Sequence, residues 1–534
     1  MCGIFGYITN TSDINKPTNI YNEKCIEKQF NKGKSRGPES SQTLTKTYHD
    51  TYMFYGFHRL AINGLTTESG QPMCIDGIYL ICNGEIYNYR SFKNFTMTTK
   101  SDCEVIIHLY KLYGIEYLFE LLDGVFAFML YDSNIQKVFV ARDPYGVRPL
   151  YYHNNCGMTF ASELKQITEL GKNIKQFEPG TFMELQLEQK NYPTIVRQQK
   201  YSSFGFSKMI FNNLFDIYGI LYQSLYNAVR KRVVGTTDRP VACLLSGGLD
   251  SSIITALVNS FLPKGTLETY SIGLEGSTDL VYAQKVADHL GTKHTSIVLT
   301  EQEFFDAIPE VIYAIESYDT TTVRASVGNY LVGKYISEHS EAKVIFNGDG
   351  ADELMGGYRY FNYTPNEIEF DRECKRLLSN IHYFDVLRSD RCISTHGLEP
   401  RTPFLDRSFV QMYLSLPPDL RNHVYNNQPE KFLIRGSVGF MNKELLPEEV
   451  LLRTKEAFSD GVSSTDRSWY KIIEEKLLDF KHNDKVYLHN PPQTNEQKYY
   501  RTLFEEHFAH CGESIPYFWM PRWVTTTDPS ARTI

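Results

Sequence analysis

The fold of the second half of the chain is decided by the stretch Leu244-Leu245-Ser246-Gly247-Gly248-Leu249-Asp250-Ser251-Ser252. The apolar run from Val241 to Leu245 predicts a short buried strand, and the apolar periodicity from Ile253 to Leu262 predicts a helix. Between them lies a turn rich in Gly and Ser, where backbone amides, hydroxyls and the helix N-terminus can hold an anion. No Lys follows the glycines, and Asp250 stands there instead. Because a carboxylate repels phosphate, the pattern predicts a nucleotide bound through Mg²⁺.

The residues that follow predict a parallel sheet. Leu267 to Leu274 reads as a second strand and turn, and Asp279 to Leu290 as a helix. Strand, loop, helix, strand and helix form the βαβ pattern, which binds ligands at the carboxyl ends of the strands. A further strand, Lys343 to Phe346, runs into a glycine-rich loop with three carboxylates. This loop is either a cation site or a solvated acidic turn.

Composition excludes several classes of function. A chain of 534 residues is long enough for two or more domains. Its formal net charge of −8 argues against a general nucleic-acid binder, and no apolar run reaches membrane-spanning length. The N-terminus has no signal-peptide pattern, and the ten cysteines form no CxxC pair. Reduced thiols and a cytoplasmic location are therefore expected.

The first half of the chain opens with Cys2. A methionine before a small residue is commonly removed, and removal would leave Cys2 as the N-terminus. The α-amino group titrates near neutrality, so this residue could supply both a nucleophilic thiol and its general base. Position alone favours an incidental cysteine, so the neighbouring motifs decide between the two readings.

The residues up to about 205 predict a strand-rich layered domain. Ser101 is expected to cap a helix, with Glu104 three residues further on. A polar segment at 198–208 predicts a boundary between domains at 2–205 and 210–534, and a long helix is expected from Ile210 to Val233. The predicted strands of the first domain are Phe57 to Ile62, Tyr79 to Cys82, Val125 to Tyr131 and Lys137 to Arg142.

Six motifs of the first domain occur in a characteristic order: MCGIFGY at 1–7, RGPE at 36–39, HRLAI at 58–62, NGEIYNY at 83–89, SDCE at 101–104 and ARDPYGVRPLYY at 141–152. Together they resemble the glutamine amidotransferase domain of the N-terminal nucleophile class. The resemblance implies a layered α-β-β-α fold that releases ammonia from glutamine. It covers roughly residues 2 to 200.

The resemblance also implies roles for individual residues. Cys2 would attack the glutamine amide, and Asn83 with the backbone amide of Gly84 would form the oxyanion hole. Arg59 would hold the glutamine carboxylate, while Glu85 and Asp102 would hold its ammonium. The full expected glutamine-binding set is Arg59, Leu60, Ala61, Ile62, Asn63, Asn83, Gly84, Glu85 and Asp102. The family usually has Asp where this chain has Glu39, which is given no role.

The second domain is similar to one family in five further stretches: Ser246–Ser252, Tyr318–Ser326, Gly348–Tyr358, Gly397–Asp406 and Lys455–Gly461. The family is that of the glutamine-hydrolysing asparagine synthetases, whose second domain is a parallel-sheet α/β ATP pyrophosphatase. The resemblance implies that ATP activates the β-carboxylate of aspartate as an acyl-adenylate and releases pyrophosphate. Ammonia from the first domain would then displace AMP. A homodimer is expected by family analogy.

The resemblance implies three sets of ligand-binding residues and one further catalytic residue. Asp349 would act at the acyl-adenylate, and Asp250 and Asp352 would hold Mg²⁺. Thr321, Thr322 and Arg324 would bind aspartate. The expected ATP-binding residues are Leu245, Ser246, Gly248, Asp250, Ser251, Ile272, Asn347, Gly348 and Lys455. The family's nucleotide loop usually reads Ser-Gly-Glu-Gly-Ser-Asp-Glu, and this chain departs from it at Asn347, Asp349 and Ala351.

Two other functions stay open from the sequence. Related enzymes activate carboxylates other than aspartate, although they often lack the N-terminal cysteine or the stretch from Thr321 to Ser326, both of which this chain keeps. A non-catalytic regulator or scaffold is the second alternative. Its support is the set of three departures in the nucleotide loop, and Cys2 and Asp250 count against it.

Overall fold

The computed structural model of the chain describes residues 2–14, 22–155, 157–188, 192–211, 213–235, 237–464, 466–481 and 485–530. The first half forms two antiparallel sheets with strand orders β10-β8-β9-β1-β3-β2 and β12-β11-β7-β6-β5-β4. The strands are β1 Gly3–Asn10, β2 Ser40–Tyr48, β3 Thr51–Arg59, β4 Met73–Ile75, β5 Ile78–Ile86, β6 Gly124–Asp132, β7 Lys137–Arg142, β8 Tyr151–His153, β9 Met158–Ala161, β10 Lys175–Gln176, β11 Thr181–Gln186 and β12 Thr194–Lys200. The helices are α1 Thr11–Ile14, α2 Glu23–Asn31 and α3 Val105–Leu121.

The two sheets pack face to face and carry helices on their outer faces. Met53 and Tyr55 of β3 meet Met129 of β6 in one apolar cluster between the sheets. Phe30 of α2 packs on the outer face of the first sheet, and Phe119 of α3 packs on the outer face of the second. Successive side chains of each strand point alternately toward the other sheet and toward the helices, so both faces of each sheet are apolar. The predicted α-β-β-α layering is confirmed.

The second half forms a parallel sheet with strand order β15-β14-β13-β16-β17. Its strands are β13 Val241–Leu244, β14 Glu268–Leu274, β15 Lys293–Leu299, β16 Val344–Phe346 and β17 Glu399–Arg401. The helices are α4 Leu214–Val233, α5 Leu249–Asn259, α6 Thr278–Leu290, α7 Glu301–Asp306, α8 Ile308–Ile315, α9 Thr320–His339, α10 Ala351–Met355, α11 Glu367–Asn380, α12 Asp385–Ser394, α13 Arg407–Ser415, α14 Pro418–Arg421, α15 Phe432–Met441, α16 Glu448–Leu451, α17 Phe458–Gly461, α18 Trp469–Lys476 and α19 Asn495–His507.

Strand β13 lies at the centre of this sheet, and the strand order reverses beside it. The chain runs outward through β14 and β15 and then returns to β16 on the other side of β13. A ligand crevice is expected at such a switch point, between the loops that follow the two adjacent strands. Those loops are residues 245–248 after β13 and residues 347–350 after β16. The predicted parallel sheet and both loops are thus confirmed.

Several local predictions differ from the structure. The strand predicted over Phe57 to Ile62 ends at Arg59, and the helix predicted from Ile210 begins at Leu214. Ser101 makes no side-chain capping bond, because Asp102–Glu104 form a short 3-10 helix and the Glu104 carboxylate accepts instead from the amides of Thr98 and Thr99. Strand β5 also extends through Asn83, Gly84 and Glu85, where the sequence suggested its end at Cys82. The paired strand β6 continues alongside these residues and extends the ladder.

The two halves are joined by continuous apolar contacts. Leu60 and Tyr145 of the first half share a buried cluster with Leu245 and Leu405 of the second. The domain boundary at 205–210 stays a prediction. Among the described residues, no helix is long and apolar enough to cross a membrane.

Candidate active sites

The nucleotide-site candidates line one cavity at the carboxyl ends of β13 and β16. Ser246 and Ser251 join their hydroxyls at 3.0 Å, and Ser251 Oγ accepts the backbone amide of Ser246 at 3.2 Å. The two loops touch at Gly348, where an added Cβ would lie 2.8 Å from the amide nitrogen of Ser251. All nine candidates line this cavity: Leu245, Ser246, Gly248, Asp250, Ser251, Ile272, Asn347, Gly348 and Lys455.

Two lysines and two aspartates form the charged floor of the cavity. Lys431 Nζ lies 2.5 Å from Asp250 Oδ2 and 2.5 Å from Asp352 Oδ1, and Lys455 Nζ lies 2.6 Å from Asp352 Oδ2. Burial would raise the pKa of Asp352, but the two lysines outweigh it and lower this pKa to about 2. The Asp352 carboxylate therefore stays ionised, next to the loop that is expected to hold phosphates.

The same carboxylates fit a Mg²⁺ ion brought by a nucleotide. Asp250 Oδ1 is buried and has no hydrogen-bond partner within the described residues. Among these residues no group of three or more His, Cys, Asp or Glu could hold a metal alone. Mg²⁺ commonly uses one or two carboxylates together with substrate phosphates, and Asp250 with Asp352 matches that pattern.

Asp349 reaches the cavity from the loop after β16. Its Oδ1 accepts from Arg388 Nη2 at 3.0 Å, and Arg388 also pairs with Asp385 at 3.1 Å. Asp349 Oδ2 is buried and has no hydrogen-bond partner in the described chain. Arg388 thus fixes one oxygen of the carboxylate and leaves the other free to accept a proton.

The structure brings only one of the three aspartate candidates to the cavity. Thr321 lines it, and its buried hydroxyl lacks a hydrogen-bond partner in the described part of the chain. Thr322 instead donates its hydroxyl to Asp319 at 2.7 Å, as part of the cap of α9. Thr322 and Arg324 do not line the cavity.

Arg324 is saturated by two carboxylates. Its Nε donates to Glu496 Oε1 at 2.8 Å, and Nη1 and Nη2 donate to Asp528 at 3.0 and 2.7 Å. These partners come from α19 and the C-terminal segment, so both edges of the guanidinium are occupied. The roles of Thr322 and Arg324 in binding aspartate stay a prediction, because in this structure both side chains bond other residues of the fold around the cavity.

In the first domain, the nucleophile candidate lies beside the predicted glutamine-binding stretch. Cys2 Sγ donates to the carbonyl of Leu60 at 3.6 Å, and Arg36 Nε donates to the carbonyl of Cys2 at 3.1 Å. Burial raises the pKa of the Cys2 thiol. The thiol is therefore protonated at rest and needs a base, which suits an adjacent α-amino group.

The oxyanion candidates are preformed on β5. Asn83 is 1% exposed, and neither its amide nitrogen nor its amide oxygen has a hydrogen-bond partner within the described residues. A buried amide without partners is costly, so it indicates a polar group that a ligand satisfies. Gly84 is irreplaceable, because an added Cβ would lie 2.5 Å from the carbonyl oxygen of Val125.

Two buried carboxyl groups, those of Glu85 and Asp102, lie beside the predicted glutamine-binding stretch. Glu85 Oε2 accepts from Asn63 Nδ2 at 2.7 Å, and Asp102 Oδ2 accepts from the amide of Ile86 at 2.6 Å. Burial raises the pKa of Asp102 to about 6, and burial with the Asp102 charge raises the pKa of Glu85 well above its usual range. An ammonium group placed here would favour the ionised forms of both carboxylates.

Arg59 and the stretch Leu60–Asn63 border the same region. Arg59 Nη1 donates to the carbonyl of Thr66 at 2.7 Å, and Nη2 donates to the carbonyl of Gly64. Leu60, Ala61, Ile62 and Asn63 are all buried. The structure therefore gathers Cys2, Glu85, Asp102 and Arg59 around one stretch of backbone, and Asn83 lies on β5 two residues before Glu85.

Sequence reasoning missed Lys431, Asp238 and Arg239. Lys431 precedes α15 and contacts Asp250, which is 181 residues away in the sequence. Its only signal in the sequence is a lysine followed by the apolar residues Phe432–Ile434, which is not specific. Asp238 and Arg239 contact the stretch from Ala61 to Gly64.

Comparisons with known proteins agree with this geometry. The family model for the glutamine amidotransferase domain matches residues 1–202, and the one for asparagine synthase matches 221–369 and 363–525. The chain is 42% identical to "Asparagine synthetase [glutamine-hydrolyzing]" of Gallus gallus, over 93% of this chain and 94% of the relative. The chain belongs to the glutamine-hydrolysing asparagine synthetase family.

Other members of the asparagine synthetase family give the same coverage. The relative from Homo sapiens is 40% identical over 93% of this chain and 94% of its own length. Among solved structures, "Structure of the allosteric regulatory enzyme of purine biosynthesis" is 15% identical, covers 56% of this chain and 80% of that chain, and has a TM-score of 0.32.

Proposed function

We propose that this family member makes L-asparagine from L-aspartate in an ATP-dependent reaction, with ammonia released from L-glutamine, through a β-aspartyl-AMP intermediate. The products are AMP, pyrophosphate and L-glutamate. The observation that carries the proposal is the charged floor of the second-domain cavity, where Lys431 and Lys455 meet Asp250 and Asp352 beside the Ser246–Ser251 loop. Anion-binding amides, hydroxyls and lysines next to hard oxygen ligands suit a nucleotide triphosphate.

The first domain would hydrolyse glutamine. Cys2 passes its thiol proton to the α-amino group and attacks the side-chain amide, whose carbon becomes tetrahedral. Asn83 and the amide of Gly84 stabilise the negative oxygen, and each such donor is worth roughly 3–4 kcal/mol. Arg59 pairs with the carboxylate of glutamine, while Glu85 and Asp102 face its ammonium. The tetrahedral carbon then collapses to a thioester as its C–N bond breaks, and the leaving nitrogen takes the proton back from the α-ammonium and departs as ammonia to the second domain. Water hydrolyses the thioester to glutamate and restores the thiol.

The second domain would activate aspartate. The amides and hydroxyls of Ser246, Gly248 and Ser251 hold the phosphates, and Leu245 with Ile272 contacts the adenosine. Asp250 and Asp352 would hold Mg²⁺, which when bound neutralises charge on the leaving pyrophosphate. Lys431 and Lys455 keep the Asp352 carboxylate ionised and offset phosphate charge as AMP and pyrophosphate separate.

Aspartate would bind at the side of the cavity formed by Thr321. There the hydroxyl of Thr321, which has no hydrogen-bond partner within the described residues, can bond the substrate, and Asp349, which lines the same cavity, would face the position where ammonia attacks the adenylate. The nitrogen of ammonia must lose a proton as it forms the amide bond. Asp349 Oδ2 accepts that proton while Arg388 holds the other oxygen of the carboxylate.

The experiment is a comparison of asparagine formation from ATP, Mg²⁺ and aspartate with glutamine or ammonium as the nitrogen source. Both nitrogen sources should yield asparagine, AMP and pyrophosphate. Glutamate should form only when glutamine is the nitrogen source. Replacing aspartate with other carboxylic acids is the matched control, and it separates this reaction from activation of another acid. Absence of pyrophosphate with every acid would refute the proposal and favour a non-catalytic regulator.

A further inference from the structure

The predicted glutamine-binding stretch is held from outside by a segment of the second domain. The amide of Asp238 donates to the carbonyl of Ile62 at 2.8 Å, and the carboxylate of Asp238 accepts the amide of Gly64 at 2.9 Å. Asp238 therefore bonds the backbone on both sides of Asn63. Two bonds that close on one short loop fix its curvature as well as its position.

Arg239 and Glu39 complete a closed ring with Ala61. Arg239 Nε donates to the carbonyl of Ala61 at 2.9 Å, and Nη2 donates to Glu39 Oε1 at 2.7 Å. Glu39 Oε2 accepts the amide of Ala61 at 2.9 Å. Both backbone groups of Ala61 are thus bonded by one ion pair. We call Glu39, Asp238 and Arg239 the clasp.

The clasp is anchored in the centre of the parallel sheet. Arg239 is followed by Pro240, whose carbonyl accepts the amide of Lys343 at 3.1 Å, and β13 begins at Val241. Strand β13 leads directly to the Ser246–Ser251 loop of the nucleotide site. The stretch Leu60–Gly64 is therefore positioned relative to the synthetase domain as well as its own sheet.

The residues inside the clasp are those that meet the nucleophile and the ammonium site. The carbonyl of Leu60 accepts from Cys2 Sγ, and the side-chain amide of Asn63 donates from Nδ2 to Glu85 Oε2. Leu60 is adjacent to Ala61, and Asn63 lies between Ile62 and Gly64. A shift of the backbone at Ala61, Ile62 or Gly64 would therefore displace both the contact of Leu60 with Cys2 and the contact of Asn63 with Glu85.

We propose that Glu39, Asp238 and Arg239 are positioning residues for glutamine hydrolysis, supplied largely by the domain that carries out synthesis. The proposal rests on the proposed function, because it needs glutamine to bind at Leu60–Gly64. It also explains Glu39, where the family usually has Asp. Shortening this side chain by one methylene would withdraw the carboxylate by about 1.5 Å, so that it could not reach both Ala61 and Arg239.

The test is a kinetic comparison of Arg239→Met, Glu39→Gln and the double variant. Arg239→Met keeps the aliphatic stem and removes the donors, and Glu39→Gln keeps the size and removes the charge. Misplacement of a binding group predicts that the KM for glutamine rises on the order of tenfold in each single variant. Ammonium-dependent synthesis and the KM for ATP should stay within about twofold, because neither uses the stretch.

Two features separate positioning from a general structural role. The double variant should be no worse than the poorer single variant, because both changes break the same ring. Arg239→Lys, which keeps the charge and fewer donors, should give an intermediate KM. The matched control is Asp123→Asn, which breaks a cross-domain ion pair with Lys231 of similar exposure and leaves Leu60–Gly64 untouched. Its KM for glutamine should match that of the unmodified protein.

The proposal is overturned if the KM for glutamine is unchanged in Arg239→Met and Glu39→Gln, or if ammonium-dependent synthesis falls in parallel in both. If Arg239→Met loses ammonium-dependent synthesis and Glu39→Gln does not, the KM for glutamine of Glu39→Gln is the deciding measurement, because this variant keeps the size of the side chain. If the unmodified protein releases no glutamate from glutamine, the proposed function fails, and the clasp proposal falls with it. If the unmodified protein hydrolyses glutamine and the variants have the same KM for glutamine, only the clasp proposal is overturned.

Discussion

Lengthening the carboxylate at position 349 in Asp349→Glu should speed amide formation. The family usually has Glu here, and the resemblance implies that it acts where ammonia attacks the adenylate. In this chain Asp349 Oδ1 is held by Arg388 at 3.0 Å, and Oδ2 has no hydrogen-bond partner within the described residues. Because Asp is one methylene shorter than Glu, its free oxygen reaches about 1.5 Å less far, the length of one carbon–carbon bond.

The loop that carries Asp349 is closely packed, which opposes an inward shift that would restore this reach. An added Cβ at Gly348 would lie 2.8 Å from the amide nitrogen of Ser251, and one at Gly350 would lie 2.5 Å from Leu405 Cγ. Gly350 also has a φ of +93°, a conformation that favours glycine. The loop is thus packed on both sides of Asp349, and its amide at Asn347 is bonded to the carbonyl of Arg401 at 3.1 Å.

The size of the effect follows from this geometry. A misplacement of about 1 Å can cost on the order of 10²-fold in rate, which corresponds to about 2.7 kcal/mol. A bridging water recovers part of that loss, so Asp349→Glu should gain between about tenfold and a hundredfold in asparagine formation. Pyrophosphate release should change less, because adenylate formation depends on the phosphate contacts.

The assay measures pyrophosphate and asparagine in parallel with saturating ammonium. In the unmodified protein pyrophosphate release should exceed asparagine formation, and Asp349→Glu should bring the two rates together. Asp349→Asn is the matched control, because it keeps the size and removes the basic oxygen, so asparagine formation should fall further. Equal rates in the unmodified protein, with no gain in Asp349→Glu, would refute the reasoning.

The remaining predictions separate the two sites. Cys2→Ala should abolish glutamine-dependent synthesis and leave ammonium-dependent synthesis intact, because only hydrolysis needs the thiol; continued release of glutamate would contradict the assignment. Asp250→Asn should lower synthesis from both nitrogen sources by on the order of a hundredfold while glutamine hydrolysis continues, because charge on pyrophosphate is then poorly neutralised. Unchanged ATP turnover in that variant would place the cation elsewhere. Because the pKa of Asp102 is about 6, its carboxylate becomes neutral as the pH falls below that value, and the KM for glutamine should then rise. Asp102→Asn should have a high KM at neutral pH and lose this pH dependence; a pH profile identical to that of the unmodified protein would show that another group titrates.

Much of the fold could be predicted because its signals are local. The apolar run Val241–Leu245 and the Ser-Gly turn after it specify a strand and a phosphate loop within a dozen residues. The two nucleotide loops meet at the switch point of the sheet, as the βαβ pattern implies. Local patterns failed where two local options competed, as at Ser101, where the backbone forms a 3-10 turn and Glu104 bonds other amides.

The rest of the candidate site depends on contacts between distant residues. Lys431 reaches Asp250 and Asp352 only after α15 packs against the sheet. Arg324 has the residue type expected of an aspartate ligand, but Glu496 and Asp528 saturate it from the far end of the chain. Glu39 gained a partner, Arg239, from the other domain. Residue type indicates what a side chain can bind, and the tertiary fold decides which partner reaches it.

The central claim is that one chain transfers nitrogen from glutamine to aspartate with the energy of ATP. The most direct test supplies glutamine labelled with ¹⁵N in its side-chain amide, together with ATP, Mg²⁺ and aspartate. The account predicts asparagine labelled in its amide, with AMP and pyrophosphate formed alongside it. AMP and pyrophosphate without labelled asparagine, or labelled ammonia released with no asparagine formed, would contradict it.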